Sequence, residues 1–205
     1  MKKTKYDYTG GFYKGFARVM LNEKWSFIDE HSKLISNIWF DHCWEFIGGF
    51  AVVRLNDKFN FIDEQGNIIS DQWFDSCFDF QKGFACVELN HKYNFIDKQG
   101  NYLSDQWFNY CGYFRDGLAK VTLNGRCNFI DCHGHVLSNQ WFDWCNDFHE
   151  GFAAVKLNNR WNFIDCHGYI LSDQWFDCCM NFHEGFGYVV KEGRWTKIDR
   201  NGNLA

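Results

Sequence analysis

Residues 151 to 184 read GFAAVKLNNRWNFIDCHGYILSDQWFDCCMNFHE. Apolar and polar positions alternate from Phe152 to Leu157, break at Asn158-Asn159, and alternate again from Arg160 to Asp165. Two short alternating runs separated by two turn residues predict a β-hairpin, and the equivalent break at Asn124-Gly125 carries the dipeptide best suited to a type I′ turn. Pairing across the turn sets Leu157 opposite Arg160, Val155 opposite Asn162 and Ala153 opposite Ile164 on one face, leaving Phe152, Trp161, Phe163 and Asp165 on the other. Both faces carry large apolar residues, so the hairpin is expected to lie sandwiched between neighbours. Asp165-Cys166-His167-Gly168 then reads as a tight turn, with Asp first and Gly fourth, and a third short strand is expected over Tyr169 to Leu171. In SDQWFDCCMNFHEG, Trp175, Cys179 and Phe182 have helical spacing, yet the stretch is short enough to fit either one helical turn or an irregular strand.

This block recurs. The Ile-Asp pair begins at Ile28, Ile62, Ile96, Ile130, Ile164 and Ile198, always 34 residues apart, and glycines at Gly15, Gly49, Gly83, Gly117, Gly151 and Gly185 keep the same step. A fixed period of this size marks a repeat architecture, in which a unit buries its apolar face only against its neighbours. The 205 residues are filled by six repeats, which predicts an all-β fold built as a single repeat domain over 1-205. Its units begin near those glycines, and polar capping ends occupy 1-14 and 186-205. The ends differ from the middle: Lys5 stands where later repeats have Trp39 or Trp73, and Lys197 where they have Phe27 or Phe61. Polar substitution at core positions suits the outer faces of an open array, so antiparallel hairpin or meander repeats in an open, curved array are expected. A closed, propeller-like ring of six units is the alternative.

Composition adds exclusions. Aromatic residues make up 20% of the chain, and 21 basic against 26 acidic residues leave a net charge of -5 without a run of either sign. Nucleic acid is a poor partner for such a chain, because its backbone is bound by clustered Lys and Arg. The opening MKKTKYDYTGG is not followed by the apolar stretch of a secretory signal, and no apolar run approaches the ~20 residues of a membrane span. A soluble, cytoplasmic protein without a membrane partner is therefore expected. Its oligomeric state is not legible.

Asp131-Cys132-His133 and Asp165-Cys166-His167 invite a catalytic or metal reading. The Asp, however, occurs in all six repeats, while the next two positions vary from Glu64-Gln65 to Lys98-Gln99 and Arg200-Asn201. Cys-His is thus expected to be a turn filling, with the Asp accepting hydrogen bonds from turn N–H groups. Cys43, Cys77, Cys111, Cys145 and Cys179 recur once per repeat among aromatics and are expected to be buried, reduced thiols. The remaining five, Cys86, Cys127, Cys132, Cys166 and Cys178, share no CxxC spacing of the kind zinc sites show. No metal, cofactor or catalytic residue is assigned.

The recurring Phe-x-Glu-Gly-Phe-Ala-x-Val, followed by Lys or Arg-Trp-x-Phe-Ile-Asp-x-x-Gly and an aromatic-Asp pair, resembles the WG (KWG) repeat of bacterial proteins over essentially the whole chain. The glycine after Trp is replaced by Ser26, Asn60, Asn94, Asn128, Asn162 and Thr196, and the chain has no proline. The resemblance implies a β-rich repeat array and supplies no catalytic residues.

In such an array the recurring positions hold the fold, so recognition is expected where repeats differ. One variable column is Tyr8, His42, Ser76, Tyr110, Trp144 and Cys178; the other is Gly10, Trp44, Phe78, Gly112, Asn146 and Met180. They flank the recurring Cys and offer aromatic anchors, with Tyr8, His42, Trp44, Phe78, Tyr110 and Trp144 as candidate partner-binding residues. Trp73, Trp107, Trp141 and Trp175, at a recurring position, are expected to be buried framework. Arg18, Arg54, Lys120 and Lys156, with Glu88, read as a solvated surface. The expected function is a non-enzymatic protein-binding repeat scaffold, of the immunity or adaptor kind. Carbohydrate or other small-ligand binding through exposed aromatics is the alternative.

Overall fold

The computed structural model describes residues 5–204, which fall into two compact bodies divided between Trp107 and Phe108. Each holds three antiparallel sheets of three strands. In the first body these are β1 (Tyr8–Thr9), β2 (Phe16–Leu21) and β3 (Lys24–Asp29); β4 (His42–Cys43), β5 (Phe50–Leu55) and β6 (Lys58–Asp63); and β7 (Ser76–Cys77), β8 (Ala85–Leu89) and β9 (Lys92–Ile96). In the second they are β10 (Tyr110–Cys111), β11 (Leu118–Leu123) and β12 (Arg126–Asp131); β13 (Trp144–Cys145), β14 (Phe152–Leu157) and β15 (Arg160–Asp165); and β16 (Cys178–His183), β17 (Phe186–Lys191) and β18 (Arg194–Ile198). No described residue is helical, so no helix is long and apolar enough to cross a membrane.

The hairpins have the predicted register: Leu157 faces Arg160, Val155 faces Asn162 and Ala153 faces Ile164. Positive φ at both turn residues, 49° and 62° at Asn158 and Asn159 and 51° and 77° at Asn124 and Gly125, matches a type I′ turn, whose twist suits the flanking strands. Both faces are indeed covered. Ala153, Val155 and Ile164 pack with Phe129 and Phe142 of the preceding sheet and its connection, whereas Ala154 and Phe163 pack with Phe176, Phe182 and Val189 on the following side. β5 and β6 repeat this, with Ala51, Val53 and Ile62 against Phe27 and Val52 and Phe61 against Phe74 and Phe80.

Two expectations need correction. The strand expected over Tyr169 to Leu171 is reduced to a single bridge, Ile164 with Ile170, as at Ile62 with Ile68. The SDQWFD stretch is neither a helical turn nor a ladder strand. Its Phe176 pairs once with Trp161, and the chain then passes directly into β16 of the next sheet. A side-chain clasp holds this irregular path. Asn162 is fully buried; its Nδ2 donates to the carbonyls of Ser172 at 2.7 Å and Gln174 at 3.1 Å, and its Oδ1 accepts the N–H of Phe163 at 2.8 Å. Asn60 and Asn128 make the same three bonds. The residue standing in place of the family's glycine therefore ties down a segment that lacks a ladder of its own. The glycine ending the Asp turn has a separate task. A Cβ on Gly66 would lie 1.7 Å from the carbonyl oxygen of Ile35, so this position sets how closely one sheet approaches the last.

Candidate functional site

In the Asp-Cys-His turns the Asp side chain braces the turn. Asp131 Oδ1 accepts the N–H of His133 at 2.8 Å and of His135 at 2.9 Å, and Asp165 treats His167 and Tyr169 alike at 2.9 and 2.8 Å. The same pair of bonds is made by Asp29, Asp63, Asp97 and Asp199. Cys132 and Cys166 are exposed, each with Sγ 3.5 Å from the Nδ1 of the adjoining histidine. Among the described residues, no group of three or more His, Cys, Asp and Glu side chains is placed to hold a metal.

The recurring cysteines are partly as expected. Cys43, Cys111 and Cys179 are buried free thiols and Cys77 is half-buried; burial pushes the Cys43 thiol up to about 12, which disfavours its thiolate. Cys145, however, is not a free thiol. It is bonded to Cys127, with the Cα atoms 6.0 Å apart, inside the ordinary span of a disulfide. The cause is legible in the repeat: Cys127 occupies the position of Trp25, Phe59, Tyr93, Trp161 and Trp195, and exchanging that ring for Cys sets two sulfurs side by side.

The candidate residues lie on or just after the short first strand of each sheet, with the recurring Cys turned inward between the two columns. Five of their rings are exposed: Tyr8 at 47%, Trp44 at 39%, Phe78 at 40%, Tyr110 at 51% and Trp144 at 55%. His42 is half-buried. In the first body the geometry brings Tyr8, His42 and Trp44 into one chain of rings. Tyr8 meets Trp25 at 5.7 Å, Trp25 meets His42 at 5.7 Å, His42 meets Trp44 at 4.6 Å and Trp44 meets Phe59 at 5.9 Å, centroid to centroid. In the second body Trp144 is held by its Nε1 donating to Asn146 at 2.9 Å and by the Lys120 amine 5.0 Å from the ring centre. Beside Tyr110 a cleft of about 160 Å³ opens above Gly112, walled by Tyr113, Phe129 and Phe148 with Arg115 and Asp147 at 3.6 Å from each other. It lies where Trp44 and Phe78 place rings in their own sheets.

The recurring tryptophans are not the buried framework expected of them. Trp73, Trp107, Trp141 and Trp175 are half-buried, whereas the next residue, Phe74, Phe108, Phe142 or Phe176, is almost completely enclosed. The charged set is not a plain solvated surface either. Arg18 Nη1 donates to the carbonyl of Cys43 at 3.1 Å, and Lys120 makes the corresponding bond to Cys145, so each side chain clips its hairpin to the next sheet. Both are half-buried, and burial pulls the Lys120 amine below its ordinary value. Their long side chains crossing an intersheet seam gave no periodic signal, since Arg18 and Lys120 share a column with Val52, Cys86, Ala154 and Tyr188.

Fold and site together define an all-β tandem-repeat protein. The WG containing repeat matches at residues 3–25, 25–59, 61–93, 95–127 and 142–161, and the chain belongs to that family. No curated protein sequence matches it. Among solved structures it is similar to Kluyveromyces lactis Hsv2, with 9% identity, a TM-score of 0.39 and coverage of 91% of this chain and 71% of that one. It is also similar to apo AztD from Citrobacter koseri, with 11% identity, a TM-score of 0.43 and coverage of 96% and 71%. Likeness of this extent carries no conclusion about mechanism.

Proposed function

We propose that the protein is a non-enzymatic, protein-binding repeat scaffold, of the adaptor or immunity kind, that meets its partner through the two variable columns. The observation carrying this reading is a contrast on or just after the short first strands: Cys43, Cys111 and Cys145 are buried and Cys77 is half-buried, while Trp44, Tyr110, Trp144 and Phe78 beside them stay open to solvent. Exposed large rings on a fixed strand are the anchors that dominate protein interfaces. The Asp carboxylates of the Asp-Cys-His turns are taken up by turn N–H groups, which favours a framework role for them over catalysis. Small-ligand binding is the second reading, favoured by the cleft beside Tyr110 and Tyr113, which combines aromatic walls with the charged Arg115–Asp147 pair.

The test begins with capture of the partner from the native host and its identification by mass spectrometry. Trp44→Ala and Tyr110→Ala should then each weaken binding by at least ~2 kcal/mol, the scale of an interface hot spot. Tyr169→Ala, which removes a ring 72% exposed but outside both columns, should leave affinity unchanged. Equal affinity of all three variants and the parent rejects the columns as the binding face. A glycan-binding scan in which Tyr113→Ala abolishes a saturable signal would favour the second reading.

A further inference from the structure

One repeat lacks a ring that the others possess. Phe16, Phe50, Phe84, Phe152 and Phe186 share a position at which the fourth repeat has Leu118. In three repeats that Phe lies against another Phe on or just after the first strand of the next sheet: Phe16 on Phe46 at 4.6 Å, Phe50 on Phe80 at 4.4 Å and Phe152 on Phe182 at 4.3 Å, with interplanar angles of 34°, 31° and 22°. Phe148 is the corresponding second ring for Leu118. It keeps its edge contact with Phe129 at 4.6 Å, as Phe46 does with Phe27 and Phe182 with Phe163, both at 4.9 Å. Its stacking partner is missing, however, and it is half-buried where Phe46, Phe80, Phe114 and Phe182 are buried.

The space so released belongs to the cleft of about 160 Å³ beside Tyr110, lined by Leu118, Phe129 and Phe148. Gly112 adds to it by carrying no side chain where Trp44, Phe78 and Met180 stand in their own sheets. A volume of this size is on the order of the ~150 Å³ apolar cavity that admits a benzene ring. Phe148 offers such a ring the stacked geometry that aromatic pairs prefer. Tyr110 and Tyr113, both exposed, leave the cleft open on the side of the variable columns. At its rim Arg115 and Asp147, exposed and 3.6 Å apart, present donors and an acceptor, the complement of the C=O and N–H of an amide. Lys120 is already taken up by the carbonyl of Cys145. A ring joined to an amide backbone therefore matches the cleft better than a ring alone.

Resting on the reading of the columns as the partner-binding face, we propose that this cleft is a socket for one aromatic side chain, Phe or Tyr, of the partner protein. Its ring stacks on Phe148 over Leu118, in the place where other repeats stack their own Phe, and its backbone amide meets Arg115 and Asp147.

The test uses the full chain and three soluble probes: N-acetylphenylalanine amide, N-acetylleucine amide and benzyl alcohol, which has the ring without the amide. The Leu118 methyl signals in NMR, assigned by their loss in Leu118→Phe, should shift saturably with the blocked phenylalanine, in the millimolar range of a residue-sized ligand. The leucine analogue and benzyl alcohol should each bind more weakly by about fivefold or more. Leu118→Phe puts back the ring that the other repeats carry, so it should melt no lower than the parent and leave the blocked phenylalanine's own signals unbroadened. Tyr113→Ala, at an exposed wall, should weaken that probe about threefold while the melting temperature holds.

No saturable response to the blocked phenylalanine, or one that survives Leu118→Phe, overturns the proposal. Equal binding of the leucine analogue makes the cleft a general apolar hollow, and equal binding of benzyl alcohol points to a free aromatic ligand. Self-association that Leu118→Phe dissolves points to a ring of a second copy of the chain. Each of these results overturns the proposal as well. With the captured partner, Leu118→Phe should lose at least about thirtyfold in affinity. The two readings fail separately: if Trp144→Ala loses the partner but Leu118→Phe does not, the socket is wrong and the columns stand.

Discussion

At the residue scale, the buried asparagine is the most informative substitution in the repeat. Asn162→Ala should leave the carbonyls of Ser172 and Gln174 and the N–H of Phe163 without their side-chain partner, at a cost of about 2 to 4 kcal/mol for interior groups so stranded. The first repeat already carries a natural deletion of this clasp, for Ser26 is fully buried with its hydroxyl unpaired. Ser26→Asn should therefore raise stability, by about 1 kcal/mol, in a denaturant melt. An unchanged midpoint would mean that the clasp needs the Gln of this segment, where the first repeat has Ile38. The sequence displayed this Asn plainly as a departure from the family's glycine. Its role was hidden because the three partners are backbone groups, which no residue pattern names.

Cysteine chemistry belongs to the same scale. Denatured without reductant, the protein should show eight reactive thiols, rising to ten after reduction, because Cys127 and Cys145 are joined. Ten thiols before reduction would contradict the bond. Periodicity predicts a free thiol at Cys145 because it marks that column alone; the partner lies in a different column, where one repeat has exchanged a ring for sulfur.

At the element scale, the hairpins were legible down to register, since a two-residue alternation and an Asn-rich turn leave one pairing that buries both faces. The segment between hairpins was not. It has no period, and its path is fixed by a single bridge at Phe176 or Phe142, by the Asn clasp and by packing on the following sheet. That physical fact also moves the framework role from Trp to Phe. Phe142 is fully enclosed in the core shared by β12, β14 and β15, so Phe142→Ala should cost ~3 to 5 kcal/mol of stability. Trp141→Ala, at a half-buried ring, should cost distinctly less. Equal losses in parallel denaturant melts would restore the tryptophan as framework.

For the whole molecule, the 34-residue period and the WG resemblance conveyed the repeat organisation and the all-β class, and five of the six candidate rings are exposed while His42 is half-buried. The charged groups were harder to read, because whether a lysine or arginine is solvated depends on which sheet lies beyond it. Their linkage to folding is testable by pH. Lys24 holds Asp41 below the usual carboxylate range, Lys58 does so for Asp75, the N–H of Gly185 for Glu150 and the N–H of Asn203 for Asp199. Groups depressed in the folded state stabilise it above their unfolded values and lose that contribution as pH falls through the folded ones. The melting temperature should accordingly fall modestly below about pH 4, since water reaches and screens the four carboxylates. His42, depressed chiefly by burial, should add a shallow earlier decline starting near pH 6.5 that is absent in His42→Gln. A melting temperature constant down to pH 3 would contradict this account.

The claim on which the functional reading turns is that the exposed ring and the enclosed ring of one repeat do different work. Trp144→Ala and Phe142→Ala, two residues apart, test it when stability and partner affinity are measured on both. The account predicts that Trp144→Ala keeps nearly the parent's melting temperature while losing at least ~2 kcal/mol of affinity for the partner, and that Phe142→Ala loses stability but, in the fraction that remains folded, binds normally. If Trp144→Ala unfolds as readily as Phe142→Ala, or binds the partner as tightly as the parent does, the columns are part of the framework and not the binding face.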